Sequence, residues 1–406
     1  MEAAREEAAA TYADMAWPSS SLEEWRYSRI DSLDGERYAR LTDAPHGPAS
    51  HAELDRMLAA VGVASATVET RNGFLVAGPL EGPIGDGSVQ VARASDLERP
   101  VEELAPPPDA FATANRAFSP DPVVIAVGRG ARPGPVVVVH WVDADGAELF
   151  PRIRIDAGED CELSVLEVVA GPGRSLVAPV TEIEVGRAAR VSYQHVQTLG
   201  HDAWQIAFQA SRVAADASLT SAAVALGGYY ARLRTDSVLA GPGGSSRLLA
   251  LYFGVGTQMH DFRTVQDHRA MKTSSDLLYK GAVANTARSV YSGLIRVEKG
   301  AHGTNAFQTN RNLVLHEGAH ADSVPNLEIE DNDVRCSHAS AAGPVSEDER
   351  FYLESRGVPP EVTDRLIALG FLGEVIERLP FSALGPTLAG QLAARLAEAE
   401  STEAAR

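Results

Sequence analysis

Cys336 and His338 stand two residues apart. On a β-strand that spacing puts both side chains on one face. Thiolate and imidazole are good ligands for iron and for iron–sulfur chemistry. A buried free cysteine and a histidine hydrogen-bonded near a strand end have the same spacing without any chemistry, so spacing alone leaves both readings open. His260 and His268, with Asp261 and Asp267 between them, offer a second set of donors, but the spacing fits no standard metal motif. A polar outer face of a β-structure is the expectation there. His316 and His320 would align on a helix, yet Leu315-His316-Glu317-Gly318-Ala319-His320 reads as a turn and breaks the zincin pattern. The glycine clusters Gly227-Gly228 and Gly241-Pro242-Gly243-Gly244 lack the Gly-Lys-Ser/Thr ending of a phosphate loop and read as turns. No dinucleotide fingerprint supports a flavin site. Catalytic residues of a nucleotide-hydrolysing kind are therefore not expected in this chain.

Composition narrows the field. The 406 residues carry 36 Lys and Arg against 55 Asp and Glu, a net charge of −19. That balance argues against a sequence-independent grip on nucleic acid or on an anionic membrane, and suits docking to a basic partner. Hydrophobic residues make up 45% of the chain, enough for a substantial core in two or three domains. The two cysteines, Cys161 and Cys336, are too few for a disulfide scaffold, and too few to supply the four thiolates of most iron–sulfur clusters. The acidic opening Met1-Glu2-Ala3-Ala4-Arg5-Glu6-Glu7 lacks an apolar signal core. Together these set a reducing cytosol as the expected compartment.

The elements that must position these residues show a change of texture. Residues 1–118 are expected to be mainly helical. Glu2–Met15 is rich in Ala and Glu, Ala52–Val61 is a second helix with Ser50 as its N-cap, and residues 62–115 mix short strand-like pieces with the connector Pro106-Pro107-Pro108. Between 119 and 340, short β-branched runs alternate with Gly, Ala, Ser and Asn, and the apolar spacing is two rather than 3.6. Strand openings recur with Leu163, Val191, Leu219, Leu248 and Leu277 as their first apolar members, 28 or 29 residues apart. A near-constant period with strands and tight turns is the signature of a β-solenoid, whose coils stack to bury a continuous core. A sandwich or barrel would repeat faster and favour Asn-Gly or Asp-Gly hairpins, which are missing between 150 and 335. Residues 341–406 are helical again. Ser346-Glu347-Asp348-Glu349 is a capping box. Gly357 ends that helix. A second helix opens at Pro359-Pro360 with the apolar set Val362, Leu366, Ile367, Phe371, Val375, Ile376 and Leu379, and a third begins near Thr387.

Several blocks in order are similar to a known family. They are Gly300-Ala301-His302-Gly303-Thr304-Asn305-Ala306-Phe307-Gln308-Thr309-Asn310-Arg311-Asn312-Leu313, Ala321-Asp322-Ser323-Val324-Pro325-Asn326-Leu327-Glu328-Ile329, Val334-Arg335-Cys336-Ser337-His338-Ala339 and Phe351-Tyr352-Leu353-Glu354-Ser355-Arg356-Gly357. Together they resemble the C-terminal half of the SufB/SufD family of iron–sulfur cluster assembly scaffolds. Glu24-Trp25-Arg26-Tyr27 resembles its SufD N-terminal signature. Asn310 stands where SufB carries a cysteine thought to take part in cluster assembly. Cys336-Ser337-His338 resembles the SufD form of a block that is His-Glu-Ala in SufB. The likeness is thus on the SufD side.

The resemblance implies a right-handed parallel β-helix flanked by helical ends, paired with a SufB-like protein and docking a SufC-like ABC ATPase on its C-terminal helices. It implies that His338, and less directly Cys336, meets a transient iron–sulfur cluster at the interface shared with SufB, with no cofactor held stably by this chain alone. It favours docking by 345–380, where Phe351, Tyr352, Arg356 and Phe371 are the candidate contacts. The competing class is a β-helix polysaccharide lyase or hydrolase, for which Glu328 and Glu330 on one strand face are an acidic pair.

Overall fold

The structure is a computed structural model that describes residues 2–45, 52–78, 83–84, 88–97 and 103–404. The expected N-cap Ser50 lies outside the described residues. The body is a parallel β-solenoid of about eight turns, with helices at both ends of the chain. Each turn, or coil, gives one strand to each of two facing sheets. Coil 1 is Val123–Val127 and Val136–Trp141, and coil 2 is Arg152–Ala157 and Glu162–Gly171. Coil 3 is Val180–Val185 and Arg190–Leu199, and coil 4 is Trp204–Val213 and Ser218–Ala225. Coil 5 is Tyr230–Leu239 and Ser245–Gly254, and coil 6 is Met259–His268 and Ser274–Val283. Coil 7 is Arg288–Val297 and Thr304–Val314, and coil 8 is His320–Ile329 and Val334–Gly343.

The repeat in the sequence comes from the corner between the two strands of a coil. Asp160, Ala188, Asp216 and Lys272 all adopt φ of 56–57°, and Gly243 has φ 72°. This left-handed residue turns the chain and aims its N–H along the solenoid axis. Asp160 N donates to Arg187 O at 2.8 Å, Ala188 N to Ala215 O at 2.9 Å, and Lys272 N to His302 O at 2.8 Å. The hydrogen-bond ladder of the sheets thus continues through the corners. The apolar positions read from the sequence belong to two columns rather than one. Leu163, Val191 and Leu219 stack in register, but Leu219 faces Ser246, and Leu248 and Leu277 continue the neighbouring column through Ser221. The corner Gly241-Pro242-Gly243-Gly244 has a different length from those before it, and a shift of two residues keeps the same face inward.

The two ends differ. Coil 1 is followed outward by antiparallel pairs. Val89–Arg93 runs antiparallel to Val123–Val127, and Ala66–Arg71, parallel to Val136–Trp141, is itself paired antiparallel with Phe74–Ala77. The second sheet therefore extends back to Ala66, and the first also takes in Ala39–Arg40, paired with Ala147–Leu149. At the other end, the strands of coil 8 are the last in each sheet.

Helices and the N-terminal segment cover the outer faces. Helices α1 (Glu2–Asp14), α2 (Ala52–Val61) and α3 (Ala110–Phe118) belong to the N-terminal part. Helices α4 (Glu347–Ser355), α5 (Pro360–Ile376) and α6 (Gly385–Ala404) follow the solenoid. Ser346 caps α4 by accepting from Glu349 N. In α5 the buried face is Ala368, Leu372 and Val375, continued by Leu379, and it packs with α6 on Leu166, Val168, Val224 and Leu251 of the second sheet. Leu366, expected in this stripe, is exposed instead. The apolar set of α5 is wider than one stripe because the helix touches α4 and α6 as well as the sheet.

The Glu24–Tyr27 segment is pinned to the first sheet by a buried charge network. Asp261 accepts from Arg232 at 2.8 Å, from Arg263 at 2.6 Å and from the Tyr230 hydroxyl at 2.7 Å. The same guanidinium groups reach back, Arg232 to Glu24 O at 2.8 Å and Arg263 to Arg26 O at 2.6 Å. Arg232 also stacks on the Trp25 ring at 3.9 Å. Burial pushes the Asp261 carboxyl up, but Arg232 and Arg263 outweigh it and hold it below the ordinary Asp value. Removing one partner of such a buried pair costs about 3–5 kcal/mol. Asp261→Asn is therefore predicted to lower stability by about 3–5 kcal/mol in urea unfolding at neutral pH. A depressed folded pKa stabilises above the unfolded value, about 3.9 for Asp, and that contribution is lost as pH falls through the folded value. The gap between wild type and variant should therefore close on acidification below about pH 4. A gap that stayed constant to strong acid would exclude the ion pair as its source.

Candidate functional site

Alternation along the strands decides which side chains enter the lumen. In the second sheet, Cys336, His338, Ser340 and Ala342 of coil 8 lie in register over Ala306, Gln308, Asn310 and Asn312 of coil 7. The coil 7 residues are buried. Cys336 and His338 therefore share the inward face, as their spacing requires, and they stand at the open mouth of the solenoid. From the first sheet, Ser323, Pro325, Leu327 and Ile329 lie in register over Tyr291, Gly293, Ile295 and Val297. With no coil above them, Leu327 and Ile329 remain 37% and 43% exposed. His338 is exposed, whereas Cys336 is half-buried against a small apolar cluster that includes Ile295, Val297, Ala301 and Ala306. Burial pushes the Cys336 thiol up.

Asn310 is one coil deeper and sealed. It donates to the Tyr252 hydroxyl at 3.0 Å and accepts from Asn312 at 2.8 Å, while Tyr252 donates to Asn312 Oδ1 at 2.6 Å. Its role here is to satisfy buried polar groups.

The lumen carries a second polar constellation that the sequence reading did not find. Glu167 is buried in coil 2 between His140 Nε2 at 3.4 Å and His195 Nδ1 at 3.6 Å, and it accepts from Thr181 at 2.9 Å and from the Tyr193 hydroxyl. Burial pushes its carboxyl up, but His140 and His195 outweigh this and hold it well below the usual range. The glutamate sits in an otherwise apolar run, between Leu166 and Val168, and only the register that stacks it against His195 reveals the cluster. His260 and His268, expected on an outer face, also point into the lumen and are fully buried. His268 is bonded to Thr273 at 2.8 Å and Ser275 at 2.9 Å. Asp261 and Asp267, of opposite parity, lie on the outer side in ion pairs with arginines. The two histidines are accommodated by polar partners within the core, the Phe253 carbonyl for His260 and the two hydroxyls for His268. Among the described residues no three His, Cys, Asp or Glu side chains form a metal-sized group.

The C-terminal candidates fall in two places. Phe351 is 74% exposed on α4, and Tyr352 is exposed with Arg356 over its ring at 5.3 Å. Phe371 of α5 turns toward the sheet, where the Lys280 ammonium lies 4.3 Å from its ring centroid, donates to its carbonyl at 3.2 Å and pairs with Glu374. Between them lies a cleft of about 650 Å³ whose lining includes Lys280, Arg311, Tyr352, Ile367 and Phe371. Lys280 was not singled out from the sequence. Its signal was a lone lysine in the apolar run Leu277–Val283. His316 and His320 flank a turn as expected, and Glu328 is paired with Arg296 at 2.9 Å.

The raised Cys336 thiol yields a direct expectation. The thiolate is the nucleophile, so iodoacetamide should label Cys336 more slowly than a free cysteine peptide at pH 8, with the rate climbing above pH 9. The fully buried Cys161 should stay unlabelled until the chain unfolds. Peptide mass spectrometry reads both, and fast labelling of Cys336 at neutral pH would contradict this placement.

Comparison with known proteins agrees with this architecture. The SufBD core domain model of the SUF system for FeS cluster assembly matches residues 140–371. An iron–sulfur cluster assembly SufBD family protein of Mycobacterium tuberculosis is 34% identical over 277 residues, covering 66% of this chain and 69% of the relative. The iron–sulfur cluster assembly protein SufD of Escherichia coli is 29% identical over 282 residues, 67% of this chain and 66% of the relative. SufD of Bacillus subtilis is 27% identical over 256 residues, 62% and 58% of the two chains. The matched region runs from the last residues of coil 1 through coil 8 and reaches into α5, and by it the chain belongs to the SufB/SufD family of iron–sulfur cluster assembly proteins, where it is SufD-like.

Proposed function

We propose that this chain is the SufD-like subunit of a cytoplasmic SufB–SufC–SufD scaffold. It would pair with a SufB-like protein through coil 8 and dock a SufC-like ABC ATPase on α4 and α5. The observation that carries this reading is the unequal treatment of the two ends. Antiparallel strands close one end, while the other ends in two ten-residue strands with unpaired edges and exposed inward side chains. Long free edges of this kind invite aggregation unless something pairs with them. A partner strand added to each edge would satisfy the backbone and cover Leu327 and Ile329.

The same docking would enclose Cys336 and His338. Two donors from this chain are too few for a nascent cluster, so the remaining ligands would come from the SufB side. Iron and sulfide are cargo here, assembled between chains and passed on. His338 would bind through a neutral ring nitrogen. Its exposure leaves it free to meet a partner's ligands, whereas the half-buried Cys336 packs beneath the mouth. The exposed aromatic pair Phe351 and Tyr352, beside the Lys280 cleft, supports α4 as the ATPase contact, since buried aromatic anchors dominate interface energies. Motion of that partner would reach the solenoid through α5.

Co-expression with the host's SufB-like and SufC-like proteins, pulling on this chain, is predicted to recover a three-component complex. Recovery of this chain alone from well-expressed partners would overturn the reading, and turnover of purified polysaccharide without a partner would favour the lyase class. In the complex, His338→Ala should lower cluster yield, measured by iron and sulfide content and visible absorbance, while assembly persists. Unchanged yield would remove His338 from the site. The double variant Phe351→Ala/Tyr352→Ala should weaken ATPase capture at least about tenfold, the loss of a hot-spot contact, without changing the unfolding midpoint.

A further inference from the structure

A cleft at the closed end of the solenoid, away from coil 8 and α4, takes no part in the site described above. It holds about 490 Å³, and Phe74, Phe118, Pro120 and Phe150 are among its walls. That size suits a small molecule, whose sites span about 300–1,000 Å³. Arg40 and Glu148 line the cleft as well. They are register partners where Ala39–Arg40 pairs with Ala147–Leu149, so their side chains start on one face of neighbouring strands. That placement ordinarily gives an ion pair. Here Arg40 lies over the Phe118 ring instead, 3.8 Å from its centroid. Neither Arg40 nor Glu148 has a hydrogen bond or an ion pair among the described residues. Arg5, the other cation at the cleft, is committed to the Ala117 and Ser119 carbonyls at 3.2 and 2.7 Å.

Glu148 differs from the other carboxylates in its situation. It is half-buried, and burial pushes its carboxyl up, with Arg40 offsetting only part of the effect. Burial also pushes up Glu103, Asp109, Glu184 and Asp236, but each of these has a partner, respectively Arg116, the Ala112 N–H, Arg212 and Arg234. A half-buried carboxylate without a partner costs free energy that a bound cation would recover. Arg40, stacked flat on a ring, keeps its N–H donors open to an anion. Neighbouring strands lie about 4.8 Å apart, a gap that a carboxylate and an ammonium on one carbon can bridge. A lone anion would be repelled by Glu148 and a lone cation by Arg40, so the two together select a ligand that carries both charges. We propose that this cleft binds an α-amino acid with an apolar side chain. Its carboxylate meets Arg40, its ammonium meets Glu148, and its side chain packs among Phe74, Phe118 and Phe150. Nothing in this site depends on the partners proposed above.

L-phenylalanine is the probe, titrated into the full chain and followed by calorimetry and ligand-observed NMR. It should bind saturably at one site. Hydrocinnamate, which lacks the ammonium, and phenethylamine, which lacks the carboxylate, should each bind on the order of tenfold more weakly, as for loss of one charged hydrogen bond. L-alanine should also fall on the order of tenfold or more, because it lacks the apolar body. These comparisons use the wild-type chain and so do not depend on any variant folding. Arg40→Gln should hold L-phenylalanine no better than phenethylamine, and Glu148→Gln should hold it no better than hydrocinnamate, with both thermal midpoints unchanged. Absence of saturable L-phenylalanine binding at millimolar concentration overturns the proposal. Equal binding of either singly charged analogue overturns the zwitterion as the ligand class. Undiminished binding in both variants places the ligand elsewhere and overturns the site.

Discussion

Every coil of this protein depends on the next for its backbone hydrogen bonds. Inside the solenoid both sheets are parallel, so each strand finds its donors and acceptors one coil below and one coil above. Even the corners obey this rule, since a residue in the left-handed conformation sends its N–H to the neighbouring corner. Such a stack has no internal reason to stop. It ends either where the chain folds back antiparallel, as it does before coil 1, or where it leaves two edges free, as it does at coil 8. The free edge follows from the architecture, and the proposed function uses it.

The lumen follows the same gradient. Coils 1–3 are lined mainly by Val, Ile and Leu, with Glu167 and its two histidines as a sealed polar plug. From coil 5 onward the inward positions take Tyr252, Tyr279, Tyr291, His268, Asn310 and Asn312, most of them tied by hydrogen bonds. A polar interior is stable only when its groups are satisfied. Atoms without a partner nonetheless occur along the stack, at Gln205 in coil 4 and Gln266 in coil 6 as well as at Ser323 in coil 8.

Two charge clamps, the first of them buried, hold the outer layers to this body. Arg232, Arg263 and Asp261 fasten the segment around Trp25 to the first sheet, and Lys280 fastens α5 to the second. Apolar packing would hold a helix on a sheet without fixing its position along it. A buried ion pair with directed hydrogen bonds fixes one register. For α5 this places Phe371 and Glu374 over coil 6, so that the helix is tied to strands two coils from the open end.

The sequence by itself determined the solenoid, because strand spacing of two, recurring corners and absent hairpin signals are local properties. It also determined that Cys336 and His338 share a face, since a strand permits nothing else. It misplaced His260 and His268, because polarity in a strand reports a need for partners and the partners were inside. It blended two columns into one repeat, since a corner of altered length shifts register without changing the apparent period. Only the tertiary structure decided that Cys336 and His338 occupy the last coil and that Asn310 is sealed one coil deeper. Those facts depend on which strand stacks on which, and stacking is set by contacts about thirty residues apart that no local pattern encodes.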